Sequence, residues 1–574
     1  VKITASGSAA RTLRRDIGPI GLLFTSVGSI IGSGWLFGAL RATVVAGPAA
    51  ILSWVIGGAA MVLLALIHAE LGGMYPVAGG SARFPQYAFG TMIGFVSGWF
   101  AFLGTVATAP IEAEATLQYA SNYMKGLTTL APDGTPVLTG TGFVMAAALM
   151  LVFSAINVMG VRWLSEINNA AVWWKLAIPV LTVIVLLATS FHPGNFTAGG
   201  GFLPFGWKGV FVAMAGGGVI FSFLGFEQAI QLGAESRNPQ RNIPLAVIGS
   251  MILGVLLYVA LQVTFIAALD PAVLGNKGWS VAFTGTGATY GPFAGLTVAL
   301  GLGWLAFLIY ADAVISPGGT GLLYVGTSSR LLFALARDGY VPGLFAQLSA
   351  RCVPFHAIAF SFLCGILLFL PFPGWYKLVG FVSSATVIAY AMAPLALGAL
   401  RRQEPDRERP FRLPCASALA PLGFIVANEL ILFSSWAVVQ KLVVAIAIGF
   451  VLLAISSATR SAEKRPTFDW ASARWLWPYL AGVALISYLG SFDITAKDSA
   501  PRGVLPFGWD ILAMAIFSTA IYFLAVGARL SDERARQYIG DPGDPVAETE
   551  AALWDASAQP SPASAYTVEG TMDR

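Results

Sequence analysis

Four ionisable residues interrupt otherwise apolar stretches of this chain: Lys175, Glu227, Asp312 and Glu429. Each stretch is about 20 residues long, enough to cross a bilayer. Ionisable groups at such depth are costly, and they mark ion or proton pathways by default. Lys175 lies eight residues into its run, about 12 Å deep at roughly 1.5 Å per residue. Two readings fit it. Its stem snorkels to the interface with Trp173 and Trp174 as belt aromatics, or its desolvated amine exchanges a proton during function. Glu227 either caps N–H groups left unpaired by a helix break or acts as a proton-responsive gate. Asp312 precedes Ser316-Pro317-Gly318-Gly319 and is either a cation or proton site or a partner for nearby hydroxyls. Glu112 and Glu114 near the outer end of the third run, His68 and Glu70 at the inner end of the second, and Glu429 read as interfacial or packing residues.

Two glycine-rich interruptions must position these groups. One, Gly28-Ser29-Ile30-Ile31-Gly32-Ser33-Gly34, sits in the first run; the other, Gly216-Gly217-Gly218 followed by Phe221-Ser222-Phe223-Leu224-Gly225-Phe226-Glu227, sits in the sixth. Inside a bilayer every backbone N–H and C=O needs a partner, so unwinding is tolerated only where it lines a cavity or a site. Paired interruptions in two halves of a chain point to a transporter substrate site. Close helix packing is the alternative use of such glycines.

The 574 residues are 56% hydrophobic and 11% charged, with mean hydropathy +0.74. Soluble domains are roughly 25% charged, so the composition is that of an integral membrane protein. Fourteen spans are expected: 17–40, 49–67, 90–119, 142–161, 167–191, 209–232, 243–269, 293–324, 353–370, 378–400, 419–438, 442–458, 475–492 and 511–528. The eighth is over-long and is expected to bend at Ser316–Gly319. With the N-terminus inside, 24 of the 33 Lys/Arg fall on the cytoplasmic side and eight outside, while Lys175 lies within a span. This bias places both termini in the cytoplasm. The net charge of +4 follows from that topology and implies no nucleic acid partner. Arg14-Arg15 precedes an apolar run longer than a signal-peptide core of about 7–15 residues, so an uncleaved first helix is expected. Cys352, Cys364 and Cys415 lack metal or disulfide spacing. The segment 529–574, with nine Asp/Glu, reads as a disordered tail.

The order of short motifs resembles the amino acid–polyamine–organocation (APC) transporters. Gly32-Ser33-Gly34-Trp35-Leu36-Phe37 resembles their first-helix signature. Glu70-Leu71, Tyr75-Pro76 and Gly79-Gly80-Ser81 resemble the segment after helix two. Gly225-Phe226-Glu227 with Glu235, Asn238-Pro239, Arg241 and Ile243-Pro244 resembles helix six and its following loop. Ser329-Arg330, Ala334–Gly339 and Pro342 resemble the stretch after helix eight, and Arg409-Pro410-Phe411 the loop after helix ten. The resemblance implies an all-α LeuT-type fold. Its inverted repeats would span 17–191 and 209–400, with peripheral helices over 419–528 and a cytoplasmic segment over 1–16. It implies that the substrate α-carboxylate meets backbone N–H groups at Gly32, Ser33 and Gly34, consistent with a half-helix N-terminus. The α-ammonium would meet carbonyls at Ile30, Phe221 and Leu224, with Gly225 in the same segment and Phe221 as a gate. Glu227 takes the place of the helix-six glutamate. Lys175 takes that of the helix-five lysine of proton-coupled members, with Asp312 a second coupling candidate. The extra spans resemble a bacterial branch that includes acidic-amino-acid:proton symporters.

These readings imply a multi-pass inner-membrane permease importing an amino acid with a proton, with no cofactor and with lipid, proton and amino acid as partners. The alternative is exchange without net proton coupling, with Lys175 as a permanent cation. A membrane enzyme is disfavoured because His68, His192 and His356 form no metal motif. A channel is disfavoured because no filter sequence or ring of like charges occurs.

Overall fold

The computed structural model describes residues 17–77, 80–132, 134–159, 161–233, 236–274, 278–279, 290–349, 353–460, 465–492 and 503–540, with backbone alone for 81, 161–170 and 273. The expected N-terminal segment, Gly79, Glu235, Cys352 and the tail from 541 lie outside the described residues.

Among the described residues, nine helices are long and apolar enough to cross a membrane. They supply span 2 (Ala50–Met74), span 3 (Thr91–Ala120), span 4 (Gly140–Met159), span 5 (Val161–Thr189) and span 7 (Pro239–Ala268). The others are span 8 (Gly303–Arg337), span 10 (Trp375–Gln403), span 12 (Trp436–Thr459) and span 14 (Trp509–Gly527). Spans 9 (Phe355–Leu368), 11 (Ala416–Leu432) and 13 (Leu476–Leu489) are shorter apolar helices. The described residues are all-α except for a hairpin between spans 3 and 4, where Thr128–Leu130 pairs antiparallel with Pro136–Leu138. On span 12, Val444, Ile448, Val451 and Ile455 are each about half exposed or more. They recur at helical spacing, so that face meets lipid rather than water.

Spans 1 and 6 are broken. Span 1 runs Pro19–Ile30, unwinds at Ile31-Gly32-Ser33, and resumes at Gly34–Ala46. Its second half therefore ends six residues later than the apolar run suggests. Span 6 runs Gly206–Gly216, then a short turn of helix at Val219–Ser222, then irregular backbone to Glu227, then Gln228–Gln231. The breaks cross each other at Ser29 and Gly225. Gly225 has φ +118°, and a Cβ there would meet the Ser29 side chain and its backbone carbon at 2.9 Å. A side chain is excluded both by the dihedral and by the approach. Ser26 stitches the pair: its hydroxyl donates to Phe226 O and accepts from Ala229 N–H.

Two expectations are corrected. Span 8 does not bend at Ser316-Pro317-Gly318-Gly319; the helix continues through Pro317 to Arg337. The interruption lies earlier, at Leu300–Leu302, and Phe293 belongs to a separate helix, Pro292–Ala299. A proline removes one N–H from a helix, and neighbouring helices in a bundle tolerate that loss. Gly319 has a different use: a Cβ there would lie 3.1 Å from Lys175 Cε and 3.3 Å from its Nζ, whereas one at Gly318 would meet nothing within 4 Å. Gly319 clears a slot for a lysine. The region 529–574 is not wholly irregular either, because Asp532–Ile539 is a helix. Ser531 caps it by accepting from Arg534 N–H, and Ala535 and Ile539 are buried. Asp532 and Glu533 stand in its first turn, where acidic groups favour helix.

At one end of the bundle Glu70 is enclosed by arginine. Arg401 donates to both of its oxygens at 2.8 and 2.6 Å, Arg409 stands 3.4 Å away, and Leu413 N–H donates at 2.7 Å. This fixes the loop after span 10 onto the end of span 2.

Candidate functional site

A narrow cavity lies between the breaks, lined by Ser29, Ile30, Gly32, Thr108, Glu112, Phe221, Leu224, Thr320 and Tyr324. Of the residues expected to bind substrate, Ile30, Gly32, Phe221 and Leu224 line it. Ser33 lies just behind: its hydroxyl accepts from Trp375 Nε1–H at 2.8 Å and its N–H donates to Glu112 Oε2 at 2.9 Å. Gly34 is not a lining residue. A Cβ there would collide with the Ser222 hydroxyl and approach Ser222 Cα to 3.0 Å, so its small size brings the second half of span 1 against span 6. Gly225 likewise serves the crossing of the breaks. The expected gate Phe221 packs edge-on against Trp375, with ring centroids 5.7 Å apart.

Lys175 is fully buried and does not snorkel. Its ammonium donates to Gly28 O at 2.7 Å and to Thr320 Oγ1 at 2.8 Å, tying span 5 to span 1 just before its break and to span 8. It also interacts electrostatically with Glu112 and Asp312. A buried ammonium needs such hydrogen bonds and counter-charges to be tolerated. Asp312 accepts from Trp35 Nε1–H at 2.8 Å and from Ser316 Oγ at 2.7 Å, so each carboxylate oxygen has a donor.

Glu227 lies beside the unwound part of span 6. Its Oε2 accepts from Gly225 N–H at 3.0 Å and from the Tyr390 hydroxyl, while the Tyr324 hydroxyl stands 3.5 Å from Oε1. Tyr324 accepts in turn from Ser29 Oγ at 3.1 Å. A hydrogen-bond chain thus crosses from the break of span 6 to span 1. His68 packs edge-on against both Phe226 and Tyr390, at 5.3 and 5.2 Å, which makes it a packing residue behind Glu227.

Of the acids read as interfacial or packing residues, Glu112, Glu114 and Glu429 lie inside the bundle. Glu112 and Glu114 are each 1% exposed, because span 3 runs through the middle of the bundle with Glu112 eight residues before its end. Glu429 is also buried, and both its oxygens and both of Glu114's lack hydrogen-bond partners. Of these three, Glu112 reaches the cavity. Sequence position puts Glu112 seven residues from the end of its run, about 10 Å deep at roughly 1.5 Å per residue and close to the depth of Lys175, which is the available signal. Tyr258, whose hydroxyl donates to Ile30 O at 2.8 Å, and Trp375 carry no signal in sequence, as aromatic residues in spans usually pack or face lipid.

The amino acid permease family matches residues 17–468. The chain belongs to that family. It is 37% identical over 519 residues to the glutamate/serine transporter AimA of Bacillus subtilis, covering 90% of this chain and 94% of that one. It is 34% identical over 507 residues to the aspartate-proton symporter of the same organism, covering 88% and 94%. A branched-chain amino acid permease of that organism is 27% identical over 472 residues, covering 80% and 96%. The chain is thus a multi-pass membrane protein of a transporter family, not an enzyme, and its broken spans 1 and 6 accord with the LeuT-type architecture.

Proposed function

We propose that this permease imports a small amino acid together with a proton by alternating access. The observation that carries the reading is the Lys175 ammonium, buried between Gly28 O of span 1 and Thr320 of span 8. An ionisable group bridging two helix groups beside a cavity is placed to couple a charge to their separation. The likeness to an aspartate-proton symporter and a glutamate/serine transporter supports a proton as coupling ion and a small or acidic amino acid as substrate. In this reading the N–H groups of Gly32, Ser33 and Gly34 hold the α-carboxylate, carbonyls at Ile30, Phe221 and Leu224 take the ammonium, and Gly225 completes the same unwound segment of span 6. Phe221 and Glu227 gate, and Lys175 with Asp312 couples. Spans 1–5 and 6–10 form the inverted repeats, with spans 11–14 peripheral. Both termini face the cytoplasm across the inner membrane, where the arginine-rich loops favour that side.

One proton moving through ~100 mV supplies roughly 2.3 kcal/mol, enough for accumulation on the order of 50-fold at about 1.4 kcal/mol per tenfold. The test is uptake of radiolabelled L-serine, L-glutamate and L-aspartate into proteoliposomes with and without an inward proton gradient. Gradient-driven accumulation is expected. Counterflow indifferent to the gradient would replace symport by exchange, with Lys175 as a fixed cation.

A further inference from the structure

One carboxylate in the cavity has no part in that scheme. Glu112 Oε2 accepts from Ser33 N–H at 2.9 Å, within the segment assigned above to the substrate α-carboxylate. Its Oε1 is buried with no hydrogen-bond partner among the described residues. It stands over Gly32, where a Cβ would come within 2.7 Å of it and within 3.0 Å of Thr320 Oγ1. The site therefore already contains a carboxylate on the backbone assigned to the substrate anion, with only one of its oxygens on an N–H. A buried acceptor without a donor is expensive. A second carboxylate brought beside it would add like-charge repulsion in a poorly screened interior.

We propose that Glu112 is a proton-controlled latch on the substrate carboxylate site. Ionised, it occupies Ser33 N–H. When Oε1 takes a proton from a hydronium ion on the side to which the cavity opens, one O–H bond forms on the carboxyl, one breaks in the hydronium, and a neutral water is left. The neutral carboxyl gives up Ser33 N–H to the incoming α-carboxylate and donates its new O–H to it. Release of substrate on the opposite side returns the proton to water and the carboxylate to Ser33. Substrate then cannot bind tightly without a proton, which is what strict symport requires. The titratable groups facing Glu112 are the Lys175 ammonium from span 5, Tyr258 from span 7 and Tyr324 from span 8. Asp312 connects to it through Lys175, and Glu227 through Tyr324. Span 10 presents Trp375 to the break, bonded to Ser33.

This inference rests on proton symport, and the test separates the two. Glu112→Gln retains an oxygen for Ser33 N–H and an amide N–H for the substrate carboxylate, but never titrates. Wild type and Glu112→Gln are compared in proteoliposomes with L-serine, L-aspartate and L-glutamate. Expected is retained counterflow, substrate affinity that no longer varies between pH 5 and 8, and loss of gradient-driven accumulation. Gradient-driven accumulation by Glu112→Gln equal to wild type would overturn the latch and leave symport standing. A wild type indifferent to the gradient would overturn symport and the latch with it. A second measurement needs no variant: infrared difference spectra of wild type on binding the same amino acids should show a new protonated-carboxyl band. Its absence in a protein that binds them overturns the proposal.

Discussion

The two broken spans satisfy their exposed N–H groups in opposite ways. In span 6 the Gly225 N–H is met by Glu227, two residues further along the same segment. In span 1 the Ser33 N–H is met by Glu112, which belongs to another helix. A local cap travels with its segment whatever the bundle does. A partner from another helix is lost as soon as the two helices shift. At Gly225 the span 6 break is thus capped from within its own sequence, whereas at Ser33 the span 1 break relies on a partner from span 3. The proposed latch uses that difference, and it can be broken experimentally.

The largest effect is expected from Lys175→Ala, which removes the ammonium joining span 5 to Gly28 and Thr320. Gradient-driven uptake in proteoliposomes should fall from an accumulation on the order of 50-fold to none, while counterflow survives. Concentrative uptake by the variant would remove Lys175 from the coupling.

Alanine at each glycine sharpens the contrast. Gly225→Ala places a Cβ at φ +118° against Ser29 and should cost about 1–3 kcal/mol of stability, read as a lower melting temperature in detergent. Gly32→Ala presses instead on Glu112 Oε1, the end of a side chain that can swing away. It should leave melting nearly unchanged and weaken substrate binding. Equal thermal losses would erase the distinction between the two breaks.

Glu227→Gln comes next. Ionised Glu227 holds Gly225 N–H and the Tyr390 hydroxyl; protonation at low pH weakens both bonds, because charge-assisted hydrogen bonds are the stronger ones. If that release gates transport, uptake by wild type varies from pH 5 to 8 and the Gln variant gives a flatter profile with binding retained. Superimposed profiles would reduce Glu227 to a cap. The smallest effect is expected for Tyr258→Phe, which deletes one hydrogen bond to Ile30 O, worth about 1 kcal/mol. Titrated substrate affinity should drop by a few-fold at most.

Much of this arrangement is legible in sequence because a bilayer makes unpaired backbone and buried charge conspicuous. Gly32-Ser33-Gly34 and Gly225-Phe226-Glu227 mark the breaks, and Lys175 stands out in its apolar run. What sequence hides is direction around a helix axis. Glu112 and Glu114 are two residues apart on span 3, yet one faces the cavity and the other does not, which depth alone does not tell. Gly318-Gly319 reads as a hinge because local propensity speaks against helix there, whereas the helix continues and Gly319 lends its missing side chain to Lys175. The helix at Asp532–Ile539 was lost in a polar composition that it shares with the residues after it.

That slot ties the fates of two positions 144 residues apart. Any side chain at 319 presses on the lysine stem, and a shorter residue at 175 would leave a void beside Gly319. Drift at either site is therefore disfavoured until the other has changed. Positions 175 and 319 should behave as one inherited unit: relatives that abandon the lysine are free to fill position 319, and relatives that keep it remain confined to glycine there.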